Sequence, residues 1–234
     1  MFPFGFFFDP LYLLFAGPAL LLALYAQMRV RSAYNKYSQV RNTRNVTGLQ
    51  AAQYLLRANG LNLNVDGVEG DLTDRYDPRT KTLRLSPAVA KTASVAALGI
   101  VAHEVGHAAQ DAEGFAPMRL RAALVPAANL GSTLGYLLFV VGVLIGAAGL
   151  VWGGVALFSA GALFALATLP VELDASRRAL AMLQRSALVG GGEVDGARVV
   201  LSAAALTYVA ALAQAVSSLL YFAFIAVGLS RREE

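Results

Sequence analysis

One segment of the chain has the residue types and spacing of a metal site: His103-Glu104-Val105-Gly106-His107. Residues four apart on a helix lie on the same face, so both imidazoles could bind one Zn²⁺. Glu104 could then act as the general base that activates a water. The chain has only 2 histidines, and the apolar flanks would make an unpaired His or Glu costly to bury. The segment therefore predicts one Zn²⁺ per chain, bound by His103 and His107, with Glu104 as the catalytic residue.

The third metal ligand is predicted to be a carboxylate. A catalytic zinc has three protein ligands and one open position, and the chain has no cysteine and no further histidine. Asp111 is one candidate, but it follows His107 by a single helical turn, too near to reach the open side of the metal. Glu172 is the better candidate, because it is the first acid after a long uncharged stretch. The alternative for Glu172 is an ordinary anion at a membrane interface.

The composition indicates an integral membrane protein. The chain is 57% hydrophobic with a mean hydropathy of +0.56, whereas soluble domains are roughly 45–50% apolar. Residues 10–28, 125–171 and 203–230 contain no charged side chain. A helix needs about 20 apolar residues to cross the hydrocarbon core, so the middle stretch suits a hairpin of two spans. This pattern predicts about four transmembrane helices and excludes an ordinary soluble enzyme and a disordered chain.

The distribution of Lys and Arg predicts the orientation. Basic residues follow the first apolar stretch and lie on both sides of the hairpin, which places these flanks in the cytoplasm. The N-terminus is then outside, and so is the Arg231-Arg232 tail, against the usual charge bias. A cleaved signal peptide is the alternative for the first stretch, but no Lys or Arg precedes Phe15 and no clean cleavage site follows.

The fold class predicted is a mainly α membrane protein with a small α+β zincin-like cytoplasmic domain. Residues 47–50 resemble a capping box, residues 61–70 and 82–86 read as strands around a turn at 77–80, and a helix is expected from Ser94 to about Ala112. The expected regions are an N-terminal anchor at 1–28, the cytoplasmic domain with the metal helix at 29–121, a transmembrane hairpin at 122–171, a cytoplasmic segment with the third ligand at 172–202, and a C-terminal transmembrane helix and tail at 203–234.

Two further patterns concern packing. The glycines 131, 135, 142 and 146 share one helix face, which predicts close helix packing within the chain's own bundle. The strand at 82–86 lies shortly before the metal helix. It is either an exposed edge to which an extended peptide substrate could add or an ordinary central strand.

The chain resembles the neutral zinc membrane metallopeptidases of bacteria over nearly its whole length. The resemblance rests on residues 72–78, 83–86, 103–110 and 172–176. It implies His103, His107 and Glu172 as zinc ligands, Glu104 as the base, a bacterial plasma membrane location and an active site that faces the cytoplasm. Many similar enzymes have an Asp four residues after the third ligand that orients a zinc histidine. Here Ser176 occupies that position, and Asp174 lies two residues after Glu172.

These features predict a zinc-dependent membrane endopeptidase whose partners are a protein or peptide substrate and the lipid bilayer. The alternative is a zinc-binding membrane assembly or adaptor protein without proteolysis, but such a protein would not need Glu104. The basic residues form no stripe and no nucleic-acid-binding motif is present, so nucleic acid is excluded as a partner. The oligomeric state is left open. Residues considered as oxyanion stabilisers are Tyr76, Tyr208, Arg177 and Arg178.

Overall fold

The computed structural model describes residues 10–233 as a mainly helical chain with one small sheet. In chain order the elements are α1 (Pro10–Ser38), α2 (Gly48–Ala58), β1 (Asn64–Gly67), β2 (Arg75–Asp77), β3 (Thr82–Leu85), α3 (Pro87–Ala90), α4 (Val95–Ala112), α5 (Ala116–Ile145), α6 (Ala148–Arg185) and α7 (Glu193–Glu233). The predicted extracytoplasmic N-terminus falls on residues 1–9, outside the described residues.

The chain divides into two compact units. The first, called the apolar unit here, comprises Arg119–Leu169, Thr207–Glu234 and the described part of Met1–Tyr25. The second, called the site unit, comprises Ala26–Met118 and Pro170–Leu206. Helix α6 continues without a break through residues 171 and 172, where the sequence analysis places a boundary between a hairpin and a cytoplasmic segment.

Four helices, α1, α5, α6 and α7, are long and apolar enough to cross a membrane. Their apolar windows have mean hydropathies of 1.7 to 2.0 and are at most 22% buried. The prediction of a mainly helical chain is therefore confirmed, with four candidate membrane-spanning helices. With 38 residues, α6 is about 57 Å long at 1.5 Å per residue, which is longer than the roughly 30 Å hydrocarbon core.

Glycines allow α5 and α6 to pack closely in the apolar unit. A Cβ atom at Gly135 would lie 2.7 Å from the Phe158 nitrogen, and one at Gly154 would lie 2.6 Å from the Phe139 nitrogen. Gly131 and Gly142 also face α6, as expected for packing within the chain. Gly146 instead forms the turn after α5 with a φ of +72°, a backbone conformation that favours glycine.

The three-stranded sheet lies in the site unit in the order β1-β3-β2, with β1 parallel and β2 antiparallel to β3. The Leu83 and Leu85 side chains of β3 are buried in a core with Leu55 of α2 and Leu98 of α4. Because β3 has a partner on both sides, the idea that residues 82–86 form an exposed substrate-binding edge is wrong. The sequence analysis assigned no strand to β2, which forms one edge of the sheet.

Local signals in the sequence account for the helices of the site unit. Thr47 and Gln50 form the expected capping box at the start of α2. The Ser94 side chain accepts a hydrogen bond from the Ala97 amide and so caps α4. The α4 helix then runs to Ala112, as predicted, and brings both histidines onto one stretch of regular helix.

Candidate metal centre

The structure brings together the three side chains that the sequence analysis selected as ligands. The Oε2 atom of Glu172 lies 3.3 Å from His103 Nε2 and 3.5 Å from His107 Nε2. Within the chain segment that the structure describes, these residues form the one group of His, Asp and Glu side chains close enough to hold a metal ion. Asp111 is not part of this group.

The spacing and chemistry of these atoms fit a zinc ion. Two ligand atoms that each lie about 2.0–2.1 Å from a tetrahedral zinc are about 3.3–3.4 Å apart. The two distances from Glu172 to the histidines match this separation. Two imidazole nitrogens and one carboxylate oxygen are also the donor set of many catalytic zinc sites, in which the fourth position stays open. The residues present therefore fit the metal.

Each histidine contacts a neutral side chain through its other ring nitrogen. Ser176 Oγ lies 3.2 Å from His103 Nδ1, and Gln110 Oε1 lies 3.0 Å from His107 Nδ1. These contacts leave both Nε2 atoms facing Glu172. Partners of this kind orient metal-binding histidines in other proteins.

Asp174, which the sequence analysis considered together with Ser176, contacts Gln110 rather than a histidine. Gln110 was not selected from the sequence, although its position three residues after His107 places both on one helix face. That spacing was the available signal. Ser176 and Gln110 are thus the side chains that contact the Nδ1 atoms of the two histidines.

Glu104 is held by the edge of the sheet. It is 9% exposed, and its Oε2 atom accepts a hydrogen bond of 2.8 Å from the Tyr76 backbone amide in β2. Burial raises the pKa of the Glu104 carboxyl above its ordinary value. A carboxylate in such a position can take up a proton more readily than an exposed one.

The Tyr76 side chain connects β2 with a second point on α4, Asp111, which lies about two helical turns after Glu104. Its hydroxyl donates a 2.6 Å hydrogen bond to Asp111 Oδ2, which also forms an ion pair with Lys81. Burial and this contact with Asp111 raise the pKa of the Tyr76 hydroxyl. Tyr76, considered from the sequence as an oxyanion stabiliser, thus has its hydroxyl directed to Asp111.

The other residues considered for that role also have defined places. Arg177 and Arg178 both form ion pairs with Asp174, and Arg178 donates a second hydrogen bond, of 2.8 Å, to Glu113. Tyr208 belongs to the apolar unit.

The apolar helices together with a His-His-Glu metal group define a membrane protein with a candidate zinc centre. Residues 12–227 match the family described as "Putative neutral zinc metallopeptidase". The chain is also 42% identical over 208 residues to a Bacillus subtilis (strain 168) protein named "Putative membrane protease YugP". This match covers 88% of this chain and 92% of that protein. The chain belongs to this zinc metallopeptidase family. No solved structure matches it.

Proposed function

We propose that the protein is a zinc-dependent endopeptidase of the membrane that hydrolyses peptide bonds with Glu104 as the general base. The observation that carries the proposal is the convergence of His103, His107 and Glu172 at the separation of zinc ligands, beside a buried Glu104. The family and the name of the Bacillus subtilis relative support a protease.

The three ligands would hold one Zn²⁺, which when bound lowers the pKa of a coordinated water and polarises the carbonyl of the substrate. Glu104 accepts a proton from the attacking water on its carboxylate and donates it to the leaving amine. The Tyr76 amide holds Oε2 of Glu104 and so fixes the orientation of the carboxylate.

We also propose the location of the site. The basic residues that flank the apolar stretches support a cytoplasmic location for the site unit, by the positive-inside rule. The site unit would then act as a zincin-like cytoplasmic domain of a bacterial plasma-membrane protein. Its substrates would be proteins or peptides that reach the cytoplasmic side of the membrane.

Metal analysis of the detergent-purified parent and its Glu104→Gln variant tests the proposal. We expect about one zinc per chain in both proteins and cleavage of a general protein substrate by the parent alone. His103→Ala and His107→Ala should lose both the metal and the activity. Equal cleavage by the parent and Glu104→Gln would contradict the role of the base. Zinc without any cleavage would favour the non-proteolytic assembly or adaptor protein.

A further inference from the structure

Gln110 is a fully buried polar residue in contact with the candidate metal centre. It lies on α4 with no exposed surface. Its Oε1 atom lies 3.0 Å from His107 Nδ1. Its Nε2 atom donates hydrogen bonds of 2.8 Å to the Val171 carbonyl and 3.0 Å to Asp174 Oδ2. The oxygen of the amide therefore has a partner on α4, and its nitrogen has two partners on α6.

These contacts determine which way the amide points. A backbone carbonyl and a carboxylate can only accept hydrogen bonds, so the two groups on α6 require the amide NH₂. The amide oxygen must then face His107, and it too can only accept. The Nδ1 atom of His107 must therefore carry a proton, and Nε2, which faces Glu172, is the ring nitrogen available to a metal.

Charged groups hold Asp174, the residue of this hydrogen-bonded series farthest from His107, in place. Asp174 is 7% exposed and accepts a 2.6 Å hydrogen bond from Arg178 Nε. Arg178 Nη1 in turn donates to Glu113 near the C-terminal end of α4. A continuous series of hydrogen bonds thus runs from His107 through Gln110 and Asp174 to a pair of surface charges. Each member limits the movement of the next.

We infer that Gln110 is a positioning residue that selects the Nδ1-protonated tautomer of His107 and fixes its ring so that Nε2 binds the metal. In many zinc sites a carboxylate makes this contact with the histidine. Here the neutral amide makes it, and the carboxylate of Asp174 lies one hydrogen bond further away. The inference rests on the proposed metal site but not on the proposed peptide hydrolysis.

The tautomer can be measured directly because the chain has only 2 histidines. The whole protein, labelled with ¹⁵N in its histidine rings and kept in detergent micelles, should give a small set of ring-nitrogen signals. A His103→Gln variant assigns them in the metal-free state. In the zinc-loaded parent we expect His107 to carry a proton on Nδ1 and the metal on Nε2. Zinc on Nδ1 of His107 would overturn the inference.

Substitutions test whether Gln110 is the cause. Gln110→Met has a similar length but only a weak thioether acceptor in place of the amide oxygen, so the Nδ1 proton of His107 loses its partner and zinc should bind roughly 10–100-fold more weakly. Gln53→Met makes the same change at an exposed site on α2 and should behave as the parent. Asp174→Asn should keep the tautomer, because the Val171 carbonyl still accepts from the amide.

A second variant covers the case in which Gln110→Met does not fold. Gln110→Glu combined with Asp174→Asn keeps an acceptor for Nδ1, places an amide donor opposite the new carboxylate and avoids two buried carboxylates in contact, so it should retain the tautomer. A parent-like zinc affinity in a folded Gln110→Met, or zinc on Nδ1 of His107 in the folded double variant, would refute the inference. Failure of the proposed function looks different: a parent that shows the Nδ1-protonated tautomer but binds no zinc contradicts the metal centre alone.

Discussion

The backbone carbonyl of Ala175 occupies the space that a side chain at position 106 would need. A Cβ atom built on Gly106 would lie 2.7 Å from the Ala175 oxygen, closer than such atoms approach one another. The glycine between the two histidines thus allows α6 to pass directly against α4. This close passage brings Glu172 within ligand distance of both imidazoles.

Gly106→Ala should force the two helices apart and weaken zinc binding. We expect a loss of roughly 10–100-fold in zinc affinity, as for other disturbances of ligand orientation, and a stability loss of about 1–3 kcal/mol from overpacking. Gly99→Ala is the matched control on the same helix, because its Cβ would meet the Ala197 Cβ at an ordinary 3.4 Å. Zinc titration and thermal unfolding measure both effects. Equal affinities for the two variants would show that the close passage is not needed.

Glu172→Ala should remove a metal ligand, whereas Asp111→Asn should not. The Glu172 carboxylate lies between the two histidines, while Asp111 contacts Tyr76 and Lys81 instead. We expect the zinc affinity of Glu172→Ala to fall by more than the roughly 10–100-fold that loss of a supporting partner costs. Asp111→Asn should retain about one zinc per chain in the same assay. Metal loss in Asp111→Asn with metal retained in Glu172→Ala would reverse the assignment.

Tyr76→Phe should lower activity without loss of zinc. It removes the hydrogen bond to Asp111 and so loosens the edge strand whose amide holds Glu104. A hydrogen bond to a charged group contributes roughly 1.5–3 kcal/mol, which sets the scale of the expected stability loss. Tyr54→Phe, at an exposed position on α2, is the control. Unchanged activity in Tyr76→Phe would mean that the backbone alone positions Glu104.

Engineered single cysteines can test the orientation, because the chain has none of its own. Cysteines in place of the exposed residues Lys36 and Asp195 should be protected from a membrane-impermeant thiol reagent in intact cells. A cysteine in place of Gly149, exposed at the start of α6 just after the hairpin turn, should react. Labelling of Lys36→Cys and Asp195→Cys, with Gly149→Cys protected, would place the site outside the cytoplasm.

The sequence predicts the apolar helices and the metal helix well because both signals are local. Uninterrupted apolar residues mark a span, and the spacing of His103 and His107 marks a shared helix face. The short β2 strand could not be predicted from its own residues. It is only 3 residues long, and its place depends on pairing with β3 and on the contact of Tyr76 with Glu104.

The partners of the histidines show a second limit of the sequence. Gln110 lies at a spacing that places it beside His107, but its amide direction depends on Val171 and Asp174 of a distant helix. Ser176 occupies a position where many similar enzymes have an Asp, and only the structure shows it beside His103. Both contacts follow from how α4 and α6 cross, which no local pattern encodes.

The separation of the ligands along the chain imposes an order on biosynthesis. Glu172 follows His107 by 65 positions, and the residues between them include the whole uncharged stretch from 125 to 171. A growing chain therefore exposes both histidines to the cell well before the ribosome adds the carboxylate that completes the centre. Until both helices of the hairpin have been synthesised, the nascent chain has only two of the three ligands. The covalent order of the chain thus delays completion of the proposed ligand set until α1, α5 and the apolar part of α6 have been synthesised, with α7 still to follow.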